Sequence, residues 1–160
     1  MPAEAWQRLG DYLRETQLLG SIQSALYWDQ NTRMPISASS WRGEQLSLIA
    51  RQLHARQSSS EFEQLLTEAK LEFEQVRKSG EFSIADESLR LRNLELLEQD
   101  LSRQKRLDPK LVGHLAQAKS EGYNKWQYAR SRADFLCFAP ALKKLISLRQ
   151  EQALQLDEPR

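Results

Sequence analysis

Apolar residues in this chain recur at steps of three and four, the spacing of a helix that buries one face, and rarely in the alternation of a strand. From Ala5 to Tyr27, residues Trp6, Leu9, Leu13, Leu19, Ile22 and Leu26 draw one apolar stripe that runs into Trp28. Met34-Pro35 must interrupt it, because the residue before a proline is pushed out of the α region and proline has no amide hydrogen to donate. The "SASS" that follows offers N-caps for a second helix, with Leu46, Ile49 and Leu53 on its inner face. Ser60 and Glu63 read as a capping box ahead of Phe62, Leu65, Leu66, Ala69, Phe73 and Val76, and Ser79-Gly80 reads as the stop. Ser83 is placed to cap a helix from Ile84 to about Lys105, whose Leu94, Leu97 and Leu101 share a face. Asp108-Pro109 opens another, with an acid at the N-cap and proline where a missing amide costs nothing, continuing through Leu111, Leu115, Ala118 and Trp126 to about Arg132. A last helix is expected to start near Pro140 and to carry Leu142, Leu145, Ile146 and Ala153.

The pattern therefore predicts an all-α fold of about six helices in an irregular antiparallel bundle or array. A single domain over residues 1–160 is expected, since the connections are short and neither a flexible linker nor a fixed-period repeat interrupts them. Trp6, Ile22, Leu26, Trp28, Ile49, Phe62, Phe73, Leu94, Trp126, Phe135, Phe138 and Leu145 are expected in or near the core.

Composition then narrows the partners. With 160 residues and 40% hydrophobic content the chain can bury a real core, and Lys+Arg 23 against Asp+Glu 22 leaves a net charge of +1. That balance lacks the basic excess of a nucleic-acid-binding domain, so no nucleic-acid partner is expected. The one cysteine, Cys137 in "FLCFAP", forms no internal disulfide, fits a reducing compartment and reads as a small buried hydrophobe. "MPAEAWQRLGDYLRE" lacks the basic-then-apolar profile of a secretion signal, and no apolar run is long enough to span a bilayer. A cytoplasmic location without membrane association is the expectation.

Candidate chemistry is sparse. The two histidines, His54 in "RQLHARQ" and His114 in "LVGHLAQ", belong to no H-E-x-x-H or H-x-x-E-H pattern and read as helix-surface or boundary residues. E-x-x-H pairs of the di-iron type and Gly-rich phosphate loops are missing too, and no signature residues flank Cys137. Acids in "LELLEQDL" and "EFEQLLTEAKLEFEQ" fall on helix faces opposite the apolar stripe and read as solvated. Asp29 differs. It sits beside Trp28 where a buried stripe ends, a position where an ionised acid can bond backbone amides or Arg33 and hold the turn without any substrate.

Two blocks carry a resemblance. "ALYWDQNTRMP" matches a Trp-Asp-x-x-Thr-x-Met-Pro signature at Trp28, Asp29, Thr32, Met34 and Pro35, followed by an Arg-x-x-Gln-Leu-like helix entry at Arg42, Gln45 and Leu46. "KWQYARSRADFLCFAPALKKLISLRQEQA" matches a second pattern at Trp126, Ala129, Arg130, Asp134, Phe135, Phe138, Pro140 and Leu142. In order and content these blocks resemble the N-terminal region of the carboxypeptidase Taq family of metallocarboxypeptidases. The resemblance implies a longer all-α enzyme that removes C-terminal residues from peptides with zinc or cobalt, held by an H-E-x-x-H helix and a later glutamate. Those ligands lie beyond the matching region, so it implies no catalytic, cofactor or metal residue here. It implies instead that the signature residues are architectural, in helices forming one wall and lid of a groove. The expected role is a noncatalytic N-terminal segment, inactive alone. The alternative is a standalone module that dimerises or recruits a protein partner to complete the groove.

Overall fold

The computed structural model describes residues 4–80 and 83–156, and the regular structure of these residues is entirely helical. In chain order the helices are α1 (Glu4–Thr32), a 3-10 turn (Ile36–Ala38), α2 (Ser39–Gln57), α3 (Ser60–Ser79), α4 (Ile84–Arg106), α5 (Pro109–Ser131) and α6 (Phe135–Leu156). Among the described residues, no helix is long and apolar enough to cross a membrane. The all-α expectation holds, and most punctuation acts as read. Ser83 Oγ accepts from the Asp86 amide at 3.2 Å, Asp108 accepts from the Lys110 amide at 2.6 Å with Pro109 behind it, and Gly80 ends α3 in the left-handed region at φ 74°. Two expectations shift. The cap of α3 is Ser59, whose Oγ takes the Phe62 amide at 3.0 Å, rather than Ser60. Helix α6 begins at Phe135, capped by Asp134, so Pro140 lies inside it rather than at its start.

The chain divides into two compact units, one of Met1–Leu18 with Ala55–Lys105 and one of Leu19–His54 with Arg106–Arg160. In the first, Leu9 and Tyr12 of α1 meet Phe62, Leu66, Ala69 and Phe73 of α3 and Leu94 and Leu101 of α4 in a core of large apolar side chains. Tyr12 ties this core to the α2–α3 turn: its ring stacks on Phe62 at 5.7 Å and its hydroxyl meets the Arg56 carbonyl and Ser59 Oγ, each at 2.9 Å. The α1 amides of Ala5 and Trp6 donate to Glu72 of α3 at 2.7 and 3.2 Å, satisfying helix-start donors with a carboxylate where the dipole favours one.

The second unit packs on small residues. Gly43 of α2 lies against Gln117 of α5, where a β-carbon on the glycine would come within 3.3 Å, and a β-carbon on Gly113 of α5 would stand 3.0 Å from Ser47 and 3.1 Å from Arg51. The two helices therefore run antiparallel at close approach, with Ala50 also buried on the α2 side. A β-carbon on Gly122 would stand 2.9 Å from Leu145, which lets α6 lie close on α5. His54 continues the Gly43–Ser47–Ala50 face and is 3% exposed, which corrects its reading as a surface or boundary residue. His114 is on the exposed side of α5.

Helix α1 shows why part of the expected core is misplaced. Its inner positions are Ala5, Leu9, Tyr12, Thr16, Leu19, Gln23, Leu26 and Gln30, a strict alternation of four- and three-residue steps. Ile22 falls beside that seam and is exposed, and Trp28, midway between Leu26 and Gln30, points off it and is 63% exposed. Phe62, Phe73 and Leu94 are buried as expected, and Trp6, Leu26, Ile49, Phe138 and Leu145 are half-buried. Trp126 and Phe135 are exposed instead.

Candidate functional site

Both signature blocks lie in the second unit. The first is organised by Arg42, one turn into α2 and mostly buried. Its Nη2 meets Asp29 Oδ2 at 2.6 Å, its Nε donates to Gln45 Oε1 at 2.9 Å, and its Nη1 donates to the Leu26 carbonyl. One guanidinium thus joins the last turns of α1 to the first turns of α2 across the proline break. The expected partner of Asp29 was a backbone amide or Arg33. The carboxylate pairs with Arg42, and the Arg33 and Met34 amides go to the Asp29 carbonyl, each at 2.9 Å. Thr32 Oγ1 donates back to the Trp28 carbonyl at 2.7 Å, and Pro35, extended at φ −67° and ψ 144°, starts the 3-10 turn. The block's geometry is fixed while the Trp28 ring faces outward.

The second block is a tight corner. The Asp134 amide reaches back to the Ala129 carbonyl at 2.9 Å, which requires Ala133 to take φ 53°, an uncommon conformation for a residue with a β-carbon. Asp134 then caps α6: it accepts the Cys137 amide at 3.3 Å and the Cys137 Sγ–H at 2.8 Å. The thiol and amide hydrogen bonds from Cys137 hold the Asp134 carboxyl below the usual carboxylate range, and the same bond to Asp134 raises the Cys137 thiol. Cys137 is exposed rather than buried, because it sits on the outer side of the first α6 turn beside its capping acid. Around this corner the Arg130 guanidinium lies 5.1 Å from the Trp126 ring, and Phe135 meets Phe138 edge-on at 6.4 Å. These side chains, with Ala133 and Asp134, line an open cavity of about 370 Å³.

The two blocks do not join through Trp28 or Asp29. Their neighbours meet instead: Tyr27, Gln30 and Asn31 of α1 line a second cavity of about 470 Å³ with Ser120, Trp126 and Phe138. Gln30 and Ser120 are both buried and bond reciprocally. Ser120 Oγ donates to Gln30 Oε1 at 2.9 Å, and Gln30 Nε2 donates to the Ser120 carbonyl at 3.0 Å. Sequence reasoning missed this pair and the Tyr27 wall. The available signal was a polar residue at every second position along the later α1 seam, Thr16, Gln23 and Gln30, with Leu19 and Leu26 between them.

A metal centre does not assemble from these residues. Among the described residues, no three His, Cys, Asp or Glu side chains group closely enough to hold an ion, and a catalytic zinc takes three protein ligands.

Comparison with known proteins returns one family. A family model described as "Carboxypeptidase Taq (M32) metallopeptidase" matches residues 8–160. "Thermostable carboxypeptidase 1" of Thermus thermophilus is 31% identical over 154 residues, which is 95% of this chain and 28% of that protein. Among solved structures, "BsuCP Crystal Structure" superposes on 98% of this chain with a TM-score of 0.80 at 17% identity, and "The Structure of CHT" on 99% with 0.62 at 22% identity. This chain covers 29% and 30% of those two, so it spans less than a third of the length of the relatives it matches.

Proposed function

Because the chain belongs to the carboxypeptidase Taq (M32) metallopeptidase family, we propose that it forms the N-terminal helical, noncatalytic region of a metallocarboxypeptidase that trims peptides from the C-terminus. The observation that carries this reading is the donor set. Its only histidines, His54 and His114, lie in no H-E-x-x-H helix, while the metal-dependent reaction needs an open site with a polarised water. In this reading the zinc or cobalt of the family is held by ligands other than these residues. Trp28, Asp29, Thr32, Met34, Pro35, Trp126, Arg130, Asp134, Phe135, Phe138 and Pro140 are architectural in this reading. The Arg42 clamp and the Asp134 cap support it, since each is satisfied within the chain. The test is peptide digestion by the purified chain with added zinc or cobalt. No release of C-terminal residues above the blank is expected, and release abolished by a chelator would overturn the reading.

A second reading, a module that dimerises or docks a protein partner, is favoured by one feature. Trp28 and Phe135 are 63% and 62% exposed, and Leu136 is 81% exposed, although these are among the largest apolar side chains of the two blocks. Light scattering across a concentration series tests it, and a monomer throughout with no binding partner for this face removes it.

A further inference from the structure

The cavity of about 470 Å³ lies within the size range of small-ligand sites, and its composition is selective. Its walls are rings: Tyr27 from α1, Tyr123 and Trp126 from α5 and Phe138 from α6. Its lining includes the Gln30–Ser120 pair, whose side-chain donors are already used on each other and, from Gln30, on Asn124 Oδ1 at 3.5 Å. Apolar and stacking interactions therefore dominate inside, and such ring-lined space favours a flat apolar group.

Charge at the rim narrows the ligand further. The Lys119 ammonium, part of the cavity lining, stands 5.0 Å from the Tyr27 ring centroid. Among the described residues Lys119 has no carboxylate partner. The nearest acid on the same helix, Glu121, is engaged by Gln117 at 2.8 Å and Lys144 at 3.5 Å. Burial raises the Tyr27 phenol, so it stays neutral and adds no opposing charge. The Lys119 cation at the rim selects a ligand that brings negative charge and acceptor oxygens.

We propose that this cavity is a binding site for an aromatic carboxylate, its ring held among Tyr27, Tyr123, Trp126 and Phe138 and its carboxylate on Lys119. The same rim opposes an α-ammonium group, so a free aromatic amino acid binds less well than its deaminated analogue.

Calorimetric titration of the full chain with 3-phenylpropanoate, 3-phenylpropanamide and phenylalanine tests this. The carboxylate is expected to saturate one site with a Kd of about 1 mM or tighter, and the amide and the amino acid to bind about tenfold more weakly. Lys119→Gln should reduce the carboxylate to the level of the amide, and Trp126→Ala should weaken all three. Lys119 is exposed, so its variant keeps the fold, and it decides the matter alone if Trp126→Ala loses helicity. Absence of saturation, equal affinity for acid and amide, or an unchanged Kd in Lys119→Gln would each overturn the proposal. The readout is binding, so it stands or falls separately from any peptide hydrolysis.

Discussion

Phe73 and Gly122 mark two ways of filling an interior within one chain. Around Phe73, large side chains from α1, α3 and α4 interlock, and each contributes by the apolar area it removes from water. Around Gly122, Gly113 and Gly43, the side chains are small because backbones approach closely, and the buried groups include Ser47, Ser120, Gln30 and His54. The first arrangement is vulnerable to lost volume and the second to added volume or a lost polar partner.

The largest expected effect comes from emptying the first kind of core. Phe73→Ala should destabilise by about 3–5 kcal/mol in urea titration, and a loss below 1 kcal/mol would mean that the site collapses freely and the contrast is weaker than drawn. Gly122→Val acts in the opposite direction, by overfilling, and should cost about 1–3 kcal/mol as Leu145 is displaced. Arg42→Ala removes the links to Asp29, Gln45 and the Leu26 carbonyl. Because Asp29 remains 40% exposed and screened, the loss should be about 1–2 kcal/mol. The smallest effect reverses sign: Gly10 in the first unit has open space around it, so Gly10→Ala should stabilise by about 0.5–1 kcal/mol through helix propensity, visible as a raised thermal midpoint. A glycine substitution that helps in one unit and harms in the other sharpens the comparison. Equal signs would dissolve it.

The first unit was the more legible from sequence for the same reason. Leu66, Phe73, Leu94 and Leu101 announce their faces by size and spacing, and Ser83 and Gly80 mark helix ends through local chemistry. In the second unit a scan for apolar periodicity overlooks glycine and serine, so the α2–α5 crossing leaves no trace and His54 reads as a surface or boundary residue. The site shows a similar division. The motif residues Asp29 and Arg42 were both visible, but their pairing crosses a proline break, and local reasoning reached for Arg33. Pro140 suggested a helix start because proline favours the first turn, whereas the Asp134 cap set the start at Phe135. Trp28 and Phe135 looked like core by residue type, and only the helix azimuth turns Trp28 outward.

The reciprocal bond between Gln30 and Ser120 acts as a key in a lock. A slide of α1 along α5 by one turn would strand two buried polar groups at once, so the pair contributes more to uniqueness than to strength. Replacing both with leucine and alanine should leave the protein folded but free to sample neighbouring alignments, seen as doubled amide resonances along α5.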